Sequence, residues 1–109
     1  MNPSVESLEN QYFLLRTSLS TLMAQGATPD QINQLRAAIA KSRDNYWLAT
    51  RRLMHDDDPE VKSLVSQMNT VQLSLDATIQ HLGDAAKIIN AITKAVDIGS
   101  QLAAKAVAL

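Results

Sequence analysis

Apolar residues recur along this chain in steps of three and four, which gives a seam that repeats every 3.5 residues. The first such run contains Val5, Leu8, Tyr12, Leu15, Leu19 and Leu22. The second contains Ile32, Leu35, Ile39, Ser42, Tyr46, Ala49 and Leu53. The third contains Val61, Leu64, Met68, Val71, Leu75, Thr78 and Leu82. Because a seam with this period faces partner helices, the pattern predicts an all-α protein with coiled-coil-like packing.

Two segments interrupt the pattern with strong signals for the end of one helix and the start of the next. Gly26 suits the left-handed position that follows a helix, and Thr28 with Gln31 matches a capping box. The second interruption is the acidic segment 55–60, in which Pro59 suits the first turn of a new helix. These signals predict three helical segments at least.

A third interruption at Gly83 has two interpretations. Gly83 and Asp84 could end one helix and cap another, or the seam could continue through a single long helix, since a helical glycine costs only about 1 kcal/mol. We therefore predict a single helical domain, an antiparallel up-down bundle of three or four helices. The expected helices cover about 4–25, 29–55, 59–82 and 84–108, with the last two either separate or continuous.

The charges of the second and third helical segments are opposite in sign. Residues 29–55 carry five Lys or Arg against two Asp, whereas residues 56–82 carry five Asp or Glu against one Lys. Antiparallel pairing of these segments would set opposite charges side by side, although exposed ion pairs stabilise a fold only weakly. The charge pattern therefore favours these two helices as neighbours.

The composition of the 109 residues argues against several classes of function. The net charge of -1 provides no field that would attract nucleic acid, and the absence of cysteine excludes disulfides and thiolate chemistry. The first residues lack the basic and apolar regions of a signal peptide, and no uncharged apolar run approaches the ~18 residues of a spanning helix. We expect a cytoplasmic protein, with leaderless secretion left open.

Three groups of residues are candidates for chemistry, and each has a simpler structural explanation. His55 with residues 56–58 could bind a divalent cation, but aspartates are also common helix caps. His81 with Asp84 could orient an imidazole, yet no nucleophile or phosphate loop accompanies the pair. The basic and aromatic segment 43–52 has the mixture found in single-strand binders without their excess of positive charge. We expect no enzyme activity, metal, cofactor or nucleic-acid partner.

Several large apolar residues lie off the seam and need a cover, for which the C-terminal segment is the obvious candidate. Soluble monomers seldom expose apolar clusters, so these residues predict a contact surface. The expected surface comprises Phe13, Leu14, Trp47, Leu48, Ile88, Ile92, Val96 and Leu102. The expected function is that of a structural or interaction protein that self-associates or docks on a partner helix. The alternative is a membrane-active or secretion-associated protein whose amphipathic C-terminal helix lies in a lipid interface.

Overall fold

The helix starts predicted from capping residues are the starts of the helices in the structure. Thr28 Oγ1 accepts the backbone N–H of Gln31 at 3.1 Å, and Gln31 Oε1 accepts the backbone N–H of Thr28 at 2.9 Å. Gly26 has a φ of 77°, the left-handed conformation expected after a helix. Asp84 Oδ1 accepts the backbone N–H of Ala86 at 2.7 Å, which satisfies the start of the last helix.

A computed structural model describes residues 2–80 and 84–107, and within them it contains four α-helices. They are α1 (Pro3–Ala24), α2 (Pro29–Thr50), α3 (Pro59–Gln80) and α4 (Ala85–Ala103). The all-α prediction is confirmed. Helix α2 ends at Thr50 and α4 at Ala103, so both are shorter than the predicted 29–55 and 84–108. The backbone that follows each of these helices makes hydrogen bonds outside the helix.

The main such contact joins the connection between α2 and α3 to the chain that follows α4. The Leu53 N–H donates to Val107 O at 2.9 Å, and the Val107 N–H donates to Leu53 O at 2.9 Å. This isolated antiparallel bridge ties residues 51–58 to the C-terminal end of the chain. Residues 51–55 therefore leave α2 and take part in a long-range backbone pair.

The helices surround one another in the order α1, α2, α4, α3. Helix α1 contacts the other three, α4 contacts α2 and α3, and the described backbones of α2 and α3 are not adjacent. The prediction that these two oppositely charged helices are neighbours is therefore wrong. The connection 51–58 is long enough to cross one end of the bundle, and Glu60 at the start of α3 pairs with Lys105 beyond α4.

Helices α3 and α4 lie side by side, so the alternative of one continuous C-terminal helix is wrong. Val71 and Leu75 line a shared groove with Lys87 and Ala91, and the start of α3 meets the end of α4. The two helices are therefore antiparallel. Gly83, the residue proposed as the breaking point, lies outside the described residues.

The core is formed mainly by the apolar side chains of all four helices, in two adjoining clusters. One cluster is built from Leu15, Leu22, Leu35, Leu75, Ile79, Ile88, Ile89, Ile92, Ala95 and Val96. The other is built from Val5, Leu8, Ala49, Met54, Val61, Leu64, Met68, Leu102 and Ala103. Helix α4 contributes to both clusters, which explains why it is the most apolar of the four helices.

Candidate interaction surface

All four aromatic residues of the chain are on α1 and α2, and Tyr12 stacks on both Phe13 and Tyr46, the residue before Trp47. The ring centroids of Tyr12 and Tyr46 are 6.4 Å apart, and those of Tyr12 and Phe13 are 5.7 Å apart. Phe13 is 47% exposed and Trp47 is 49% exposed, although both are large apolar side chains. The chain thus concentrates its aromatic surface in one place and leaves half of the Phe13 and Trp47 side chains in solvent.

Each of the two helices presents a stripe of outward side chains with steps of four, three and four residues. Phe13 lies eleven residues before the end of α1 and Ala40 eleven residues after the start of α2, so the two are level in the antiparallel pair. We call the two stripes with Tyr12 and Tyr46 the aromatic face. The stripes are Glu9, Phe13, Arg16 and Ser20 on α1, and Arg36, Ala40, Arg43 and Trp47 on α2.

Polar contacts hold the side chains of the aromatic face in place. Tyr46 Oη donates to Glu9 Oε2 at 2.7 Å, and this bond, together with desolvation and the Glu9 charge, raises the pKa of the Tyr46 phenol. The Arg16 guanidinium lies 5.3 Å from the Tyr12 ring centroid, and that of Arg43 lies 5.3 Å from the Trp47 ring. Stacked arginines orient the rings and place positive charge beside them.

The structure divides the eight residues of the predicted contact surface into three groups. Phe13 and Trp47 are exposed, whereas Leu14 and Leu48 are half-buried against the core. The four residues of α4 are inside the bundle: Ile88, Ile92, Val96 and Leu102 are each less than 9% exposed. These four can meet a partner only if the bundle opens, so the accessible part of the predicted surface is its α1 and α2 part.

The expected cover for Phe13 and Trp47 was the C-terminal segment, and the structure places that segment elsewhere. Helix α4 lies between α2 and α3, on the inner side of α2, with Asn45 Nδ2 donating to Ser100 Oγ at 3.1 Å. Because α4 approaches α2 from that side, the outward side chains of α1 and α2 stay uncovered. The expectation that the chain covers its own off-seam aromatics is therefore wrong.

Sequence reasoning noted Arg43 with Tyr46 and Trp47 on α2, but it missed Arg16 on α1 and assigned Tyr12 only to the seam. Tyr12 and Tyr46 are half-buried, so they belong to the edge of the core and to the outer surface at once. The missed signal is the second 4-3-4 spacing, which runs parallel to the apolar seam through charged and aromatic residues.

Two of the four candidate metal residues, Asp56 and Asp58, accept backbone N–H groups at helix starts in the structure. Asp56 Oδ1 accepts the Ser4 backbone N–H at 3.0 Å, and Asp58 Oδ1 accepts the Glu60 backbone N–H at 2.8 Å. Within residues 2–80 and 84–107, no three His, Cys, Asp or Glu side chains come together as metal ligands would. His81 of the proposed His81–Asp84 pair lies outside the described residues, and Asp84 caps α4.

Grooves between the helices offer little specific chemistry. One of about 480 Å³ separates α1 from α3, and its lining is mostly amides and one carboxylate: Asn10, Leu14, Asn69, Gln72, Leu73 and Asp76. It is open to solvent and contains no charged pair directed at a ligand. The aromatic face is therefore the strongest candidate site on the described part of the chain.

The chain matches no protein-family model, no curated protein and no solved structure. Over its described residues, no helix is both long enough and apolar enough to cross a lipid bilayer.

Proposed function

We propose that this is a non-enzymatic helical interaction protein that uses the aromatic face as its contact surface. The observation that carries the proposal is that all four aromatic residues are on the neighbouring helices α1 and α2, with Phe13 and Trp47 about half exposed. Protein interfaces are enriched in aromatic residues and arginine, and these residues supply much of the binding energy. The aromatic face contains both kinds.

The spacing of the two stripes supports a helical partner. Steps of four, three and four residues are those of a coiled-coil seam, and such a seam suits another helix better than an extended peptide. Because α1 and α2 lie side by side, they offer two neighbouring rows of side chains. A helix or a pair of helices would fit this surface without opening the bundle.

The alternative, a membrane-active C-terminal helix, requires that the bundle open. The apolar residues of α4 are the most deeply buried in the fold, with Ile88 and Leu102 both 0% exposed. Placing them in a lipid interface means removing α4 from contact with three other helices. The aromatic face needs no such rearrangement, so we favour the interaction with protein.

Site-specific photo-crosslinking tests this proposal in the cell that makes the protein. A photoreactive phenylalanine analogue would replace Phe13 or Trp47, and a control chain would carry it at Leu73. Leu73 is a matched control because it is an apolar residue of α3 that is 75% exposed. We expect adducts from positions 13 and 47 and none from 73. Equal yields from all three positions, or no adduct at 13 and 47, would contradict the proposal.

A further inference from the structure

We infer that the occupant of the aromatic face is an acidic amphipathic helix of another protein, whose carboxylates pair with Arg16, Arg36 and Arg43. This inference rests on the proposed function and names the chemistry of the partner. It follows from the charges on the two stripes, which are mostly positive although the whole chain has a net charge of -1.

Positive charge predominates along the part of α1 and α2 that includes the aromatic face. From Phe13 to Arg43 the sequence contains four Lys or Arg and one acid, Asp30, which lies in the first turn of α2. Arg16 is eight residues before the end of α1 and Arg36 seven residues after the start of α2, so these exposed arginines lie within a turn of the same level. Like charges on neighbouring helices favour an occupant that places a carboxylate between them.

The arginines of the aromatic face make few polar contacts within the chain. In the part of the chain that the structure describes, neither Arg16 nor Arg36 takes part in a hydrogen bond or an ion pair. Arg43 Nε is buried without a hydrogen-bond partner, and its ion pair with Asp44 is long, at 3.9 Å. Arg16 and Arg43 are also stacked on aromatic rings, which orients the guanidinium planes while leaving N–H groups at their edges. A planar fork of N–H donors matches a carboxylate.

Glu9, the one acid of the two stripes, is already engaged by another residue of the chain. It is half-buried and accepts a hydrogen bond from Tyr46 Oη at 2.7 Å. A second copy of this chain would bring further arginines to the aromatic face and no free carboxylate of the stripes, which like-charge repulsion disfavours. The charges therefore favour a different chain, one that is acidic.

The exposed aromatic side chains supply the apolar part of the contact. Ala40 is level with Phe13, and Trp47 lies seven residues beyond Ala40, about 10 Å along α2. One partner helix of about three turns therefore spans both aromatic side chains with its apolar residues, and its flanking Asp or Glu side chains reach the arginines. An anionic membrane would set negative charge against Glu9 as well, whereas a helix carries its carboxylates at separate positions.

Two synthetic helices that differ only in charge test the inference on the purified full-length protein. Both carry leucine at the seam positions, and the flanking positions are glutamate in the acidic helix and lysine in the basic helix. Like charges at these positions also keep each synthetic helix from pairing with itself. We expect the acidic helix to bind about tenfold more tightly than the basic one, with an affinity that falls as salt increases. The anisotropy of a dye on the synthetic helix measures binding.

Charge reversal on the protein identifies where the acidic helix binds. Arg16→Glu combined with Arg36→Glu should weaken binding of the acidic helix about tenfold and should favour the basic helix instead. The matched control is Lys62→Glu combined with Lys87→Glu, which makes the same change of net charge at exposed positions of α3 and α4. The control should bind the acidic helix as wild type does. Circular dichroism of both double variants shows whether their helices are intact.

The outcomes separate this inference from the proposed function. Equal binding of the two synthetic helices, or an unchanged affinity in the double arginine variant, overturns the acidic partner. Tighter binding of phosphatidylserine vesicles than of the acidic helix also overturns it, and assigns the face to a membrane surface. If photo-crosslinking at Phe13 and Trp47 gives the same adducts in the double arginine variant, the interaction surface stands and only the charge of the partner is wrong. If wild type gives no adduct at either position, both the inference and the proposed function are overturned.

Discussion

The side-chain oxygen of Gln11 occupies the space where a side chain on Gly99 would lie. A Cβ atom built on Gly99 would be 2.4 Å from Gln11 Oε1, much closer than a van der Waals contact. Gln11 is completely buried, and its Nε2 donates to the backbone oxygen of Ala95 at 2.7 Å, while Oε1 has no hydrogen-bond partner. A polar contact thus fixes the level of α1 against α4 inside a mainly apolar core.

This relationship predicts that Gly99→Ala destabilises the fold. The added methyl group would push the Gln11 amide away and break its bond to Ala95, which costs about 1–3 kcal/mol in a buried site. The higher helix propensity of alanine returns about 1 kcal/mol, so we expect a net loss of up to about 2 kcal/mol. Urea unfolding followed by circular dichroism measures this loss directly.

Gly99→Ala should stabilise the fold, and no longer destabilise it, when Gln11 is replaced by a shorter side chain. In a Gln11→Ala background the methyl group meets no amide, so Gly99→Ala should increase the unfolding free energy by about 0.5–1 kcal/mol through helix propensity alone. An equal loss in both backgrounds would mean that another neighbour, and not Gln11, requires the glycine.

The capping box at the start of α2 should contribute measurably to stability. Thr28→Ala removes the acceptor for the Gln31 backbone N–H, and loss of an N-cap side chain costs about 1 kcal/mol. Thr17→Ala is the matched control, because Thr17 is an exposed threonine inside α1, where alanine is the better helix former. Thermal unfolding should rank Thr28→Ala below wild type and Thr17→Ala at or above it.

The Tyr46 phenol should make stability depend on pH in the alkaline range. Its bond to Glu9 raises the pKa above the ordinary 10.0, so the folded state resists ionisation more than the unfolded state does. The resulting stability is fully present below pH 10.0 and is lost as the pH rises through the folded-state pKa. Wild type should lose more stability than Tyr46→Phe over that range in urea titrations.

A spectroscopic titration checks the cause of this shift. Glu9→Gln removes the carboxylate that accepts from Tyr46, and the Tyr46 pKa should fall toward its ordinary value. The absorbance of the phenolate, taken as the difference from Tyr46→Phe, isolates this residue from Tyr12. An unchanged midpoint in Glu9→Gln would show that the carboxylate is not what raises the pKa.

The helix starts were predictable from sequence because their causes are local. The capping box at Thr28 and the proline at 59 act within one turn, and the structure contains both as helix starts. The end of α2 was not predictable in this way. It depends on the backbone pair between Leu53 and Val107, which are far apart in the sequence, and no local pattern signals such a pair.

The arrangement of the helices and the content of the core were only partly predictable. Charge complementarity favoured α2 beside α3, but exposed charges contribute little, and burial of α4 between these two helices decided the order. The apolar seam identified leucines and isoleucines of the core and, among its buried polar residues, only Ser42. The buried polar residues that it missed are Ser4, Ser7, Gln11, Ser18 and Asn45.

The candidate surface was also predictable only in part. Phe13 and Trp47 were recognisable as off-seam residues, since their positions follow from helix periodicity alone. Whether another segment covers them depends on the side from which α4 approaches, and that is a property of the whole bundle. The sequence therefore indicated which apolar residues could form a contact surface. The structure shows that, of these eight residues, only Phe13 and Trp47 are exposed.

The most direct test of an exposed aromatic face is the solvent accessibility of Trp47, the only tryptophan of the chain. Because its side chain is 49% exposed, acrylamide should quench Trp47 fluorescence readily in the folded protein. Resistance to quenching in the folded protein that disappears in urea would show that another segment covers Trp47, and it would contradict this account.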